Sequence, residues 1–352
     1  MKPSIRHKRI TASFGEFEIF RIENKSGTFV ELSSLGAGIL SINVPDKNGV
    51  IGNVALSYAD PADYMNDGPC MGKIPGRVAN RISKGRFLID GICYQLNLND
   101  GLNSLHGGPS GFQNRIWKAQ VIEDGVRFSY LSKDGEENYP GNLEVTAEYH
   151  WSEDNILTLE LKAQTDKPTI VNLTNHVYFN LDGADNGEIL NHRLKLKASR
   201  FLPTDKEFLP TGEKKDVRGT PMDFLEFKEL WKDLRSTHPQ VQIARGYNHC
   251  WLTDDWKKGN LMKEVAILES TQSGRCLKID TTMPGMQIYT GGWLEGSPLN
   301  RSGRSYKNHE GVALEMQGLT DAPNHQDFPS QILRPGELYS ETIRFCFTVN
   351  IS

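Results

Sequence analysis

The stretch GVALEMQGL (residues 311–319) carries a carboxylate, Glu315, on the same alternating face as Ala313 and Gln317, while Val312, Leu314 and Met316 share the other face. A second stretch, VNLTNHVYFNL (171–181), carries His176 in a row with Asn172, Thr174, Tyr178 and Asn180. A carboxylate and an imidazole are side chains of general acid–base transfer. A carboxylate in mid-strand is costly to bury without partners, so Glu315 read alone also fits a solvated face or a structural ion pair. A single histidine on a strand also fits a packing role. The row around His176 lacks the Lys, Glu or Arg that a wet face normally carries. It reads as the lining of a polar pocket as readily as a solvent face.

Other stretches add polar and aromatic groups. NSLHGGPSGF (103–112) places His106 before two glycines, which permit tight turning and close backbone approach. GRVANRI (76–82) offers Arg77, Asn80 and Arg81, a set of donors and one amide acceptor that could equally be a solvated basic turn. GYNHCWL (246–252) and MPGMQIYTGGW (283–293) contribute Tyr247, Asn248, His249, Gln287, Tyr289 and Trp293. Amides beside aromatics suit a sugar, whose hydroxyls need planar polar partners and whose C–H face needs an apolar floor. The Walker loop, GxSxG, GxGxxG and HExxH patterns are missing. The nine histidines show no i, i+2 or i, i+4 pair, so no metal site is expected.

The elements that must position these residues read as strands. Asn48-Gly49, Asp90-Gly91 and Asp124-Gly125 each sit between strand-like runs, as two-residue hairpins require. FLIDGICYQL (87–96) is the clearest hairpin, and LEVTAEYHW (143–151) with ILTLELKA (156–163) forms another pair. HRLKLKA (192–198), AILES (266–270) and YSETIRFCFTV (339–349) continue the pattern. One helix is expected, over 224–234, with Phe224, Phe227, Leu230, Trp231 and Leu234 at helical spacing and Asp223 as N-cap. No repeat, low-complexity segment or linker divides the chain. The sum predicts an all-β fold, a large antiparallel β-sandwich with little helix, as one domain over 1–352.

Composition narrows the class. Forty Lys plus Arg against 44 Asp plus Glu give −4, which offers no electrostatic reason to expect nucleic acid or an anionic membrane. No apolar run approaches the roughly 20 residues needed to cross a bilayer. The N-terminus MKPSIRHKRITASFG has no apolar signal core, and five cysteines without a CxxC spacing fit free thiols in a reducing, cytoplasmic setting. Asn24-Lys25-Ser26 and Asn172-Leu173-Thr174 match the glycosylation triplet, which matters only in a glycosylating compartment.

Taken in order, the motifs resemble the aldose 1-epimerases, or galactose mutarotases. They are GRVANRI, NSLHGGPSGF with RIW (103–117), DGEENYPGNLEVTAEY (134–149), NLTNHVYFNLDG (172–183), GYNHCWL, TTMPGMQIYTG (281–291) and ALEMQGLTDAPNH (313–325). Each alone is weak, but the ordered set over roughly residues 70–330 is specific. The resemblance implies a supersandwich fold with an open cleft, and interconversion of the α and β anomers of a free hexose without cofactor or metal. It implies Glu315 as general base, His176 as general acid, His106 near the ring oxygen, and Asn80 and Arg81 as substrate-binding positions. Tyr178, Asn248 and Gln287 complete the expected binding set. A carboxylate near His176 would favour the imidazolium, so Glu315 and His176 must converge on one concavity. A small-molecule sugar is the expected partner, with a monomer or homodimer as the assembly.

Three departures from the resembled pattern concern substrate choice and the rim. Asn248 stands where the family commonly has Asp, Met283 where it often has Glu, and Gly318-Leu319-Thr320 where His-Phe-Pro is commoner. Competing readings are a hexose-phosphate 1-epimerase, which would want more Arg or Lys than Arg77 and Arg81, a non-catalytic carbohydrate-binding protein of the same fold, and a glycoside hydrolase, which normally needs two carboxylates.

Overall fold

The computed structural model describes residues 3–259 and 261–350. Antiparallel strands dominate, as the alternating runs predict. The strands Ser4–Ala12, Gly15–Glu23, Phe29–Ser33, Gly38–Pro45 and Ile51–Asn53 form a five-stranded meander. A nine-stranded sheet runs, in spatial order, through Lys118–Ile122, Gly125–Ser132, Leu143–Trp151, Ile156–Thr165, Tyr339–Val349, Arg275–Thr281, Lys263–Glu269, Arg193–Leu196 and Lys228–Glu229. A six-stranded sheet runs through Tyr178–Phe179, Val312–Gln317, Gly285–Tyr289, Asn248–Leu252, Arg200–Leu202 and Lys215–Asp216.

The two larger sheets meet in one apolar core. Leu157, Leu159, Leu161 and Phe345 of the nine-stranded sheet join Val312, Leu314, Met316 and Ile288 of the six-stranded one. Alternation then fixes where the other residues of Val312–Gln317 point. With Val312, Leu314 and Met316 in the core, Ala313, Glu315 and Gln317 occupy the opposite face. Directly paired residues of an antiparallel ladder share a face. The register pairs Tyr178 with Ala313, Ala313 with Tyr289, and Tyr289 with Asn248; one step along, Glu315 pairs with Gln287 and Gln287 with Cys250. The ladder therefore gathers onto one face residues separated by more than a hundred positions.

Several expectations are corrected. Within VNLTNHVYFNL only Tyr178–Phe179 is ladder, and every residue from 171 to 181 is buried. The apolar residues Val171, Leu173, Val177, Phe179 and Leu181 enter the core as the alternation predicts. The segment otherwise runs between elements, where other loops satisfy its backbone: Asn172 N–H donates to Arg77 O at 3.0 Å and Asn180 N–H to Val54 O at 2.9 Å. The helix expected over 224–234 shrinks to Trp231–Leu234, preceded by the edge strand Lys228–Glu229. Asp223 caps no helix; its carboxylate accepts from Leu225 N–H at 3.1 Å in a local turn. Leu230 N–H donates to His192 O at 2.9 Å, tying the segment to the sheet. A second short helix, Pro239–Ala244, was not expected.

The Asp90-Gly91 hairpin forms with positive φ at both residues (52° and 81°) between Ile89 and Ile92. The third hairpin is shifted by one: Ile122 pairs with Gly125, so Glu123 and Asp124 make the turn. Gly125 is instead required by crowding, since a Cβ there would lie 2.0 Å from Tyr149 O.

A second crowded glycine supports the site. Gly72 has φ +68°, and a Cβ on it would lie 2.0 Å from Ile39 O. Its N–H donates to His176 O at 3.0 Å. Gly72→Ala is expected to destabilise the protein by about 2 kcal/mol or more, seen as a lower denaturant midpoint. An unchanged midpoint would show that the Ile39 strand yields freely.

Candidate active site

The polar face of the six-stranded sheet forms one wall of a cavity of about 350 Å³. Glu315, His176, His106, Asn80, Arg81, Tyr178 and Asn248 all line it. Gln287 does not belong to the lining. It stands beside Asn248, whose Oδ1 accepts from Gln287 Nε2–H at 2.7 Å. Sequence reasoning missed Asp100, Phe208, Leu105 and the pair Gly68-Pro69, which also line the cavity. Asp100 reads as a turn residue in Asn-Asp-Gly, and only the fold shows that its carboxylate meets Arg81.

Glu315 and His176 converge, with Oε1 and Nε2 3.5 Å apart and both residues almost wholly out of water (2 % and 5 % exposed). The contact is longer than a strong hydrogen bond. Glu315 Oε2 and His176 Nδ1 find no hydrogen-bond partner among the described residues. Buried polar atoms are ordinarily satisfied, so unmatched atoms on two adjacent ionisable groups point to a ligand that completes them.

Burial governs their protonation. It pushes the Glu315 carboxyl up to about 8, opposed by the positive charge of Arg81. It pulls the His176 imidazole down to about 4, helped by the charge of Lys73. The pair thus rests near neutral pH with its proton on the carboxyl. Burial therefore works against the imidazolium that a neighbouring carboxylate would favour.

His106 packs edge-on to His176, ring centroids 5.3 Å apart. Its Nδ1 accepts from the Asn80 backbone N–H at 3.1 Å, and the His106 backbone N–H donates to Asn80 O at 3.0 Å. A backbone N–H can only donate, so the ring proton of His106 sits on Nε2. Burial, then the neighbouring His176, hold it well below the usual imidazole range, so it is a neutral N–H donor. The reciprocal pair needs both residues at positive φ, 64° for Asn80 and 51° for His106. Asn80 Oδ1 accepts from Arg81 N–H at 2.9 Å.

Arg81 Nε donates to Asp100 Oδ2 at 2.7 Å, and its guanidinium lies over Phe208, 4.9 Å from the ring centroid. Phe208 meets Trp293 edge-on at 5.4 Å, and Trp293 stacks on Tyr289 at 6.1 Å. Trp293 is 39 % exposed and forms the lip of this aromatic wall. Tyr178 donates its hydroxyl to Pro69 O at 3.0 Å, so it braces the wall carrying Gly68 and Pro69.

Other residues singled out in the sequence lie elsewhere. Arg77 is buried and donates to Ser132, Lys133, Pro140, Gly141 and Thr169. His249 is fully buried against Gln240, 3.0 Å away, and Tyr247 donates to Pro221 O at 3.1 Å. Met283 packs in the core, Leu319 packs in a small cluster with Leu202 and Phe328, and Gly318 N–H donates to Asn172 Oδ1 at 2.7 Å. Of the three departures, only Asn248 therefore reaches the cavity.

The carboxyl shift has a measurable consequence. A group raised from 4.5 to about 8 binds its proton more tightly folded than unfolded. Its stabilisation is full below 4.5 and is lost as pH rises through about 8. Glu315→Gln, which stays neutral, should therefore gain in thermal midpoint relative to the unaltered protein between about pH 5 and about pH 8.5. Parallel melting curves across that range would contradict a dry carboxyl.

Comparison with known proteins agrees with this geometry. The aldose 1-epimerase family matches residues 18–346. A galactose mutarotase from Rattus norvegicus is 41% identical over 320 residues, 91% of each chain. An aldose 1-epimerase from Escherichia coli is 36% identical over 336 residues, 94% of this chain and 95% of that one. Among solved structures, an aldose epimerase homologue from C. elegans superposes with TM-score 0.86 at 30% identity, over 95% of this chain and 99% of the other. Galactose 1-epimerase from Lactobacillus acidophilus superposes with TM-score 0.85 at 26% identity, over 99% of this chain and all of the other. With a match across nearly its whole length and a fold to agree, the chain belongs to the aldose 1-epimerase family.

Proposed function

We propose that the cavity interconverts the α and β anomers of a free hexose of the glucose or galactose type, with Glu315 as general base and His176 as general acid. The activity is an isomerisation of aldoses, in keeping with the family. The observation that carries the assignment is the convergence of one carboxylate and one imidazole, each with an unmatched polar atom, at one end of a sugar-sized cavity.

The hydroxyls of a bound sugar supply hydrogen bonds to both charged forms, and the proton passes from Glu315 to His176. The carboxylate then takes the proton of the anomeric hydroxyl while the imidazolium gives its proton to the ring oxygen, breaking the bond from that oxygen to C1. The products are an open-chain aldehyde, a neutral carboxyl and a neutral imidazole. That is the proton arrangement burial already favours, so desolvation lowers the energy of the ring-opened state. Rotation about C1–C2 and reversal of both transfers recloses the ring on the other face. Arg81 opposes the upward shift of Glu315 and so keeps the carboxylate within reach. His106 offers its Nε2–H beside His176, Asn80 and Arg81 meet hydroxyls, and Trp293 with Tyr289 forms the apolar floor.

A phosphorylated hexose fits less well. Arg77 faces away, and Arg81 is already matched by Asp100. The chain acts as one unit over 1–352, as a monomer or homodimer, and its free thiols suit the cytoplasm.

Glu315→Gln and His176→Asn should each lower kcat for fresh α-glucose or α-galactose by about 10²-fold or more in polarimetry. Near-normal turnover of either variant would remove it from the mechanism. Asn248→Asp should change KM or sugar preference, since a charged acceptor bonds about twice as strongly as a neutral one. Identical kinetics across a panel of hexoses and pentoses would take that position out of substrate choice.

A further inference from the structure

Adjoining His176, but outside the cavity lining, lies an ion pair that the proton transfers do not use. Lys73 Nζ contacts Asp67 Oδ1, and both side chains are fully buried. Lys73 also donates to Tyr64 O and lies 3.4 Å from Asn114 Oδ1. Asp67 Oδ2 accepts from Tyr58 Oη–H at 3.0 Å and from Met71 N–H at 2.8 Å. The stem of Lys73 runs against two glycines: a Cβ on Gly36 would meet its Cδ at 2.8 Å, and one on Gly38 its Cγ at 3.2 Å. Charges this deep are costly, and a packed apolar pair fills similar space without the desolvation.

The place of the pair in the chain suggests its use. It closes the loop 67–73, whose Gly68 and Pro69 line the cavity. At the end of that loop, Lys73 O accepts from His176 N–H at 2.9 Å and Gly72 N–H donates to His176 O at 3.0 Å. Both backbone groups of the acid therefore hang on the loop the ion pair closes. In the middle of the loop, Pro69 O accepts from Tyr178.

We propose that the buried Asp67–Lys73 pair is a positioning unit for His176, fixing the 67–73 loop that holds both the backbone of the imidazole residue and the Gly68–Pro69 wall. The proposal rests on the reading of His176 as the acid. The titratable groups facing His176 are Glu315 from the sheet, His106 from the opposite loop, Tyr178 two residues on, and Lys73 from the loop itself. Arg81 acts on His106 and Glu315, and Cys70 interacts with Lys73 and Glu315.

The test removes both charges while keeping shape, as Asp67→Asn with Lys73→Met in the full chain. The double variant should fold, with kcat lowered about tenfold or more and KM within about twofold. Loss of the Lys73 charge should also move the His176 imidazole titration to higher pH. NMR reads this without any substrate, the His176 signal being assigned by its absence from His176→Asn. A folded double variant with normal kcat would overturn the proposal, whatever the His176 titration does. An unaltered protein without mutarotase activity would overturn the reading of the site instead, and the exchange protection of the His176 N–H, which donates to Lys73 O, would then decide the positioning role: lost protection in the double variant supports it and unchanged protection overturns it. If the double variant does not fold, Tyr58→Phe removes one bond to Asp67 and leaves the charges. A several-fold fall in kcat at constant KM supports the proposal, and unchanged kinetics overturn it.

Discussion

The cost of placing a carboxyl and an imidazole together out of water is the constraint on which the site depends. Neither group can be charged cheaply there, and neither is satisfied by the protein alone. Everything around them follows from that cost. Arg81 is brought near enough to act on the carboxyl but is itself neutralised by Asp100. A second histidine, His106, is held neutral by burial and by the neighbouring His176, and a backbone donor fixes its tautomer. The result is a pair that holds one proton and whose two charge arrangements have equal net charge. A ligand that brings hydrogen bonds can shift that proton between them.

Much of this was legible in the sequence because period-two alternation survives on the strand that matters. GVALEMQGL assigns Glu315 to the face opposite Val312, Leu314 and Met316, and the fold keeps that assignment. The same alternation sorted VNLTNHVYFNL correctly into an apolar row and a polar row. It could not reveal that both rows are buried, because a segment bonded to loops has the same side-chain period as one bonded to strands. Over 224–234 the spacing of Phe224 and Leu230 satisfied a helical template, yet long-range bonds to the sheet decided the outcome. Asp100 and Phe208 were invisible because no local pattern marks a turn residue that will face a distant arginine.

Asn248 shows how a departure from a resembled motif gains meaning from its neighbours. Its Oδ1 is engaged by Gln287, so its amide N–H₂ is the group left to the cavity. An aspartate there would present an acceptor and a negative charge close to Glu315. Met283 and Leu319, which differ from the pattern as plainly, lie in apolar clusters and carry no such meaning.

The near-complete burial of Glu315 and His176 has one more consequence. On the proposed mechanism, every proton moved in the cycle travels among four atoms: a carboxylate oxygen, an imidazole nitrogen, the anomeric oxygen and the ring oxygen. The site returns to its starting state without taking up or releasing any. Such a cycle is closed with respect to solvent, so external buffer has no part to play as a proton carrier. A hydrogen isotope carried in on the anomeric hydroxyl can complete a turnover without mixing with bulk water.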